Sequence, residues 1–185
     1  MYFPWPSFIN KTKQMASIPS YRAFAHFLDN PTEHACAMFN VENIDLDRYK
    51  QHIDREDVVK RESWSHITLF YPLHNTHDLE PVKDSLFSPE VKLVSISSFE
   101  LEDKDVLMLE VESEDLHMMH DMINGSIDHP EKSFPDYKPH ITLCYVKKGA
   151  SEKYTRRLEP EEQLTFKPVE LLLTVHNEIG KRYIF

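Results

Sequence analysis

Two short stretches carry residue types able to move protons, His66-Ile67-Thr68-Leu69-Phe70-Tyr71 and His140-Ile141-Thr142-Leu143-Cys144-Tyr145. They agree at five of six positions and begin 74 residues apart, the strongest internal repeat in the chain. An imidazole, with a pKa of about 6.5, serves as acid or base at neutral pH. Of two such groups, one can deprotonate an attacking hydroxyl while the other protonates a departing oxygen. The Thr hydroxyls can donate hydrogen bonds to the non-bridging oxygens of a phosphate as charge develops there. That scheme calls for no metal and no other cofactor. A single His-x-Thr is weak, because short motifs recur by chance and both residues suit a strand. Two copies in one shared strand pattern are much harder to reach by accident.

Strands must position these groups. Side chains at i and i+2 of a strand share a face, so each His shares its face with its Thr, while Ile67, Leu69, Ile141 and Leu143 point the other way. If the halves are related by a pseudo-twofold, the two His converge on one centre. Tyr71 and Tyr145 occupy equivalent places, and rings beside a nucleotide can stack on bases. Five residues after the His, however, strict alternation puts each Tyr on the opposite face, which favours core packing.

The rest of the chain reads as short strands alternating with helices, a mixed sheet of the α+β kind. Residues 1–34, rich in Pro and aromatics with a helix-like stretch at Tyr21–Leu28, form an N-terminal extension to a domain spanning 35–185. Within that domain Ala35–Val41 is the first strand, and Ile44–Val58 has the spacing of an amphipathic helix. His66–Tyr71 is a buried strand, and Thr76 caps a helix running to about Leu86. Val91–Leu101 and Asp105–Glu112 form a hairpin turning near Asp103-Lys104. Ser113 caps a helix through about Ile123, with Leu116, Met119, Met122 and Ile123 on its apolar face. Asn124–Pro139 is a polar loop, His140–Val146 a strand mirroring the earlier one, and Leu164–Val175 with Arg182–Phe185 complete the β content.

Composition narrows the function classes. The 185 residues suffice for one domain with a real core. No apolar run approaches the roughly 18 residues needed to span a bilayer, and Met1-Tyr-Phe-Pro-Trp-Pro does not read as a secretory signal, so a cytoplasmic protein with no membrane partner is expected. A net charge of −10 argues against binding duplex nucleic acid, which relies on many cationic contacts to phosphate, but leaves room for a small anionic ligand in a local pocket. Cys36 and Cys144 match no ligand spacing and read as reduced, packed thiols. His74 with His77, and His117 with His120, have a spacing that can place two metal ligands on one helical face. Neither pair has a third ligand nearby in sequence, so solvated helix residues are the expectation. Lys147, Lys148, Lys153, Arg156 and Arg157 form a locally basic run that either attracts phosphates or is a solvated loop and helix.

The stretches His66-Ile-Thr-Leu-Phe-Tyr-Pro-Leu-His74 and Tyr137-Lys-Pro-His-Ile-Thr-Leu-Cys-Tyr-Val-Lys-Lys-Gly149, followed by Glu152-Lys-Tyr154, resemble the two-histidine phosphoesterase superfamily, and within it most of all the phage anti-CBASS nuclease family. The resemblance runs from about Ala35 to the C-terminus. It implies a bilobed fold, with two pseudo-symmetric antiparallel-sheet lobes flanking a central cleft and helices outside. It also implies His66 and His140 as acid and base, and Thr68 and Thr142 on the scissile phosphate. The activity implied is opening of cyclic di- or trinucleotide signals of bacterial immunity to linear products. Residues near the C-terminal hairpin help hold the nucleotide in that family, which brings in Glu178 and Tyr183; with Tyr71, Lys138 and Tyr145 these are the candidate substrate contacts. Pro72 stands where the family has Gly, and residues 1–34 have no family counterpart. Two alternatives stay open: a 2′,3′-cyclic phosphodiesterase acting on RNA ends, weakly disfavoured by the net acidity, and a protein that sequesters a cyclic nucleotide without cleaving it.

Overall fold

The computed structural model describes residues 35–42, 44–62, 64–75, 77–127, 136–158, 164–175 and 178–185. The expected extension, its helix-like stretch and the Thr76 cap lie outside them. The strands are β1 (Ala35–Asn40), β2 (Val58–Lys60), β3 (His66–Leu73), β4 (Val91–Glu100), β5 (Lys104–Glu112), β6 (His140–Lys147), β7 (Thr165–Phe166), β8 (Glu170–Val175) and β9 (Glu178–Ile184). The helices are α1 (Asp47–Lys50), α2 (Glu114–Ser126) and α3 (Ser151–Arg157).

All the strands join one sheet in the order β7-β4-β5-β6-β3-β1-β8-β9, with β2 on the edge of β6 and every pairing antiparallel. The order divides into two four-stranded halves, β7-β4-β5-β6 and β3-β1-β8-β9, each ending on one of the two repeat strands. They meet where Ile67 pairs with Ile141. Beyond that point β6 turns its edge to β2, pairing Val146 with Val58 and Tyr145 with Lys60. The bilobed α+β expectation is met as two half-sheets sharing a narrow seam.

One face of the sheet carries the core. Ala37, Phe39, Ile67, Leu69, Leu107, Leu109, Ile141, Leu143, Leu171 and Leu173 pack there with Leu116, Met119 and Ile123 of α2 and Tyr154 of α3. Helix α2 is held by both ends of its sequence logic. Ser113 Oγ accepts from the Leu116 N–H at 3.2 Å, Glu114 and Asp115 sit in the positive first turn, and Leu116, Met119, His120 and Ile123 fall on one stripe. Each large apolar side chain buried this way contributes about 1.5–3 kcal/mol relative to leaving it in water. The other face of the sheet carries the His and Thr side chains.

Two expected helices are not there. Only Asp47–Lys50 of the stretch Ile44–Val58 is helical. The chain is captured beyond it by α3, since the Asp54 N–H donates to Tyr154 Oη (3.0 Å), the Tyr154 hydroxyl donates to Asp57 Oδ2 (2.7 Å), and Lys153 Nζ donates to Asp54 Oδ2 (2.9 Å). Val58 then enters β2. The stretch His77–Leu86 is a series of turns with one 3-10 turn at Lys83–Ser85. Pro81 removes a backbone donor where a helix would need it, and the Asp78 carboxylate instead accepts the N–H groups of His74 (2.6 Å) and Asn75 (3.3 Å). The loop expected over Asn124–Pro139 begins later, because α2 continues to Ser126, and its residues 128–135 lie outside the described set. Beta strands 7 and 8 are separate, and β9 starts at Glu178 rather than near Arg182.

Candidate active site

The seam places the two triplets side by side. Antiparallel pairing of Ile67 with Ile141 requires that one residue to either side His66 lies opposite Thr142 and Thr68 opposite His140. Since directly opposed residues share a face, all four side chains leave the sheet on the face away from the core. Two rungs of register partners run through them from β4 to β9. One is Ser95, Glu110, His140, Thr68, Met38, Leu172 and Arg182; the other is Ser97, Met108, Thr142, His66, Asn40, Glu170 and Ile184.

Local bonds aim the imidazoles. His140 Nδ1 lies 3.0 Å from the Lys138 carbonyl two residues upstream, and because a carbonyl only accepts, Nδ1 carries the proton and Nε2 is left for chemistry. The Trp64 carbonyl, also two residues upstream, does the same electrostatic service for His66. No hydrogen bond of normal geometry reaches His66 Nδ1, which is buried. Burial dominates the proton affinity of both rings and holds each below the ordinary imidazole value. For His66 the Glu62 carboxylate opposes this; for His140 the Lys138 carbonyl and Glu110 oppose it while a charged His66 adds to it. That repulsion places the His66 ring within electrostatic reach of His140. One proton distributed over two interacting imidazoles is what an acid–base pair requires.

Each motif also has its own support. The Tyr137 hydroxyl donates to the Thr68 carbonyl (2.8 Å), and the Tyr137 ring stacks on His120 of α2 at 4.3 Å. The Cys36 thiol lies on the same face and donates to the Ala37 carbonyl (3.8 Å), and burial pushes its proton affinity up to about 12 against a smaller lowering by Thr68. Thr142 is buried, beside Met108 of β5. Asn40, opposite His66, donates to Glu170 Oε2 (2.8 Å), and Glu110, opposite His140, accepts from Ser95 Oγ (2.6 Å). The two halves thus repeat a polar pair behind each His.

The candidate substrate contacts divide. Register slips by one residue near Leu69 in β3 and near Leu143 in β6, so that Leu69 with Phe70 and Leu143 with Cys144 point successively to the core. These matched bulges return Tyr71 and Tyr145 to the His and Thr face, against strict alternation. Tyr71 packs there with Cys36, Met38, Leu172 and Trp64. Tyr145 is fully buried, its hydroxyl donating to Glu62 Oε1 at 2.6 Å with Lys60 and Lys104 over its ring, and so holds the carboxylate that acts on His66. Lys138 is exposed beside His140. Glu178 and Tyr183 are not brought to the quartet: Glu178 pairs with Val175 at the far end of β8, and Tyr183 packs on the core face opposite Leu171.

Sequence reasoning missed Glu62, Glu110, Asn40, Trp64 and Tyr137. The signal for Glu110 and Asn40 was a polar residue in an otherwise apolar strand, placed at the end nearest the repeat. The His-x-x-His pairs serve other ends. His120 is buried under Tyr137, and His77 contacts Lys181 Nζ (3.3 Å). Among the described residues no group of three or more His, Cys, Asp or Glu could hold a metal ion. Cations of the basic run are tied to carboxylates, Lys148 to Glu100 (2.8 Å) and Lys153 to Asp54. Both Cys are free and buried. Among the described residues no helix is long and apolar enough to cross a membrane.

The fold is shared with solved structures of low sequence similarity. Usb1 from Kluyveromyces marxianus superposes with a TM-score of 0.53 at 8% identity, over 84% of this chain and 99% of that one. Its complex with uridine monophosphate gives 0.55 at 9%, over the same shares, and a structure described as a phosphoesterase gives 0.50 at 13%, over 82% of this chain and 97% of that one. Two like half-sheets meeting at paired His-x-Thr strands define a two-histidine phosphoesterase, a hydrolase of phosphodiester bonds. The model of the family described as anti-CBASS protein Acb1 matches residues 33–175, and the chain belongs to that family. It is accordingly a phosphodiesterase acting against CBASS. No curated protein sequence matches it.

Proposed function

We propose that the chain opens cyclic di- and trinucleotides with 3′,5′ linkages. The observation that carries the reading is the single seam pair, Ile67 with Ile141, which brings a His and a Thr from each half to one face. One imidazole takes the proton of a ribose 2′-hydroxyl, the 2′-oxygen bonds to the adjacent phosphorus, and the bond from phosphorus to the 5′-oxygen breaks. The other imidazole gives its proton to that oxygen, which yields a linear product ending in a 2′,3′-cyclic phosphate. The roles then exchange, the second ring deprotonating a water that reopens the cyclic phosphate. Thr68 and Thr142 donate to the non-bridging oxygens as charge builds. Membership of the anti-CBASS family supports this substrate class.

The test is digestion of a panel of cyclic oligonucleotides with EDTA present, with the products identified by mass spectrometry. Linear products in chelator support the reading, and cleavage that requires added metal contradicts it. Recovery of intact ligand from saturated protein after long incubation would indicate sequestration instead.

A further inference from the structure

Paired strands hold their spacing through a ladder of many rungs, yet β3 and β6 share the register pair Ile67 with Ile141 and then part. Beyond it β3 runs beside β1, and β6 beside β5 and β2. On the near side β6 begins directly after Pro139, which has no N–H to carry the ladder further. The separation of the two His and Thr pairs therefore depends on what else crosses the seam. A tyrosine hydroxyl does so on each side of the pair. Tyr145 Oη donates to Glu62, in the chain leading into β3, and Tyr137 Oη donates to the Thr68 carbonyl at 2.8 Å. The first bond ends on a side chain. The second ends on the backbone of a quartet residue, and so fixes the place of β3 itself.

The lead-in to β6 touches both triplets within three residues. Tyr137 reaches Thr68, the Lys138 carbonyl lies 3.0 Å from His140 Nδ1, and the Pro139 carbonyl accepts the Val111 N–H at 3.3 Å, which anchors the lead-in to β5. The Tyr137 ring is clamped as well. It stacks on His120 of α2 at 4.3 Å with an interplanar angle of 5°, and His117 of the same helix meets it edge-on at 5.2 Å. His120 also lies 5.3 Å from the Phe70 ring of β3, so one side chain of α2 contacts both sides of the seam. Burial raises the proton affinity of the phenol and Cys36 adds to it, which keeps the hydroxyl a donor at any working pH.

We propose that Tyr137 is a positioning residue of the reaction: with its ring locked by α2, its hydroxyl holds the Thr68 peptide at a fixed distance from His140 and so sets how closely the two His and Thr pairs approach. In this role it touches no substrate and acts through Thr68 and His140. The proposal rests on the reading of the quartet as the site of ring opening. A displacement of about 1 Å in such a site costs about 100-fold in rate, so loss of one tie is read in kcat rather than in KM.

Tyr137→Phe keeps the ring and its stack and deletes the hydroxyl. On a cyclic dinucleotide that the parent cleaves, its kcat is expected to fall about 10-fold or more with KM within about twofold. Ile123→Val, a loss of core packing on α2 with a comparable cost in stability, is the control and is expected to keep kcat. A second readout needs no substrate. A charged His66 lowers the proton affinity of His140, so His66→Gln is expected to raise the pKa of the His140 ring followed by NMR. In the Tyr137→Phe background that rise is expected to be smaller, because the two rings stand further apart. A kcat equal to the parent's, a loss confined to KM, or the same rise in both backgrounds would overturn the positioning role. A parent that cleaves no cyclic dinucleotide would overturn the ring-opening reading, and the NMR comparison alone would then decide whether Tyr137 sets the separation.

Discussion

Ile67 and Ile141, the central residues of the two His-Ile-Thr triplets, are the register partners that join β3 to β6, and both are fully buried. Their side chains belong to the core while their neighbours on either side belong to the site. Packing under the seam and chemistry above it are therefore set by the same three residues of each strand.

Truncation at the seam should cost stability and activity together. Ile141→Ala is expected to lose about 2–5 kcal/mol and Ile141→Val about 0.5–1.5 kcal/mol in urea unfolding. The Val variant should keep most activity, because the strand register survives. An Ala variant as stable as the parent would contradict the packing described.

Stability should fall on mild acidification. Burial holds the folded-state proton affinities of His66, His120 and His140 below the ordinary value of 6.5, so the fold disfavours their charged forms. Below that pH the unfolded chain takes up protons first, and the stabilisation present above it is lost as pH falls toward the folded values. The urea midpoint should drop between pH 7.5 and 5.5, a window above the titration of the ion-paired carboxylates Glu80, Asp54 and Asp57, whose proton affinities are lowered. A midpoint flat across that window would count against the burial.

Glu62 and Tyr145 should act on His66 rather than on stability alone. Glu62→Gln removes the negative charge that opposes burial at His66, so the limb of the pH–rate profile belonging to that ring should move to lower pH. Tyr145→Phe deletes the 2.6 Å bond, should cost about 1–2 kcal/mol, and should shift the profile in the same direction by less. An unmoved profile in both variants would make the link structural only.

Asp105 should prove structural. It is fully buried, and its Oδ2 accepts from Gly149 N (2.8 Å), Ser151 N (3.4 Å) and Ser151 Oγ (2.8 Å), which ties β5 to the turn after β6. Asp105→Ala strands those donors and should cost about 3 kcal/mol or more by thermal or urea unfolding. Gly149, at φ +78°, should lose about 1–2 kcal/mol on change to Ala. A loss of less than 1 kcal/mol in Asp105→Ala would show that the donors find water instead.

What the sequence made legible was the part that repeats. The agreement at five of six positions located both central strands, and period-two alternation put each His with its Thr. It misplaced Tyr71 and Tyr145, because a β-bulge at Leu69 or Leu143 leaves no mark in a run of apolar residues. The helix expected before Leu86 failed at Pro81, a local signal that was present and outweighed by the capping pattern. The one expected over Ile44–Val58 failed for a reason with no local trace, since Tyr154 and Lys153 reach it from about a hundred residues away. Glu62 acts on His66 while Tyr145 of the other half holds its carboxylate, and such a link exists only once the seam has formed.

The most direct test of one shared site is the kcat/KM of His66→Ala, His140→Ala and the double variant on a cyclic dinucleotide that the parent cleaves. Each single change should cost about 10²- to 10⁴-fold, and the double variant should lose little more than the worse single one, because the two rings act as a unit. A single variant close to the parent, or losses that simply multiply in the double variant, would contradict the pairing of His66 with His140.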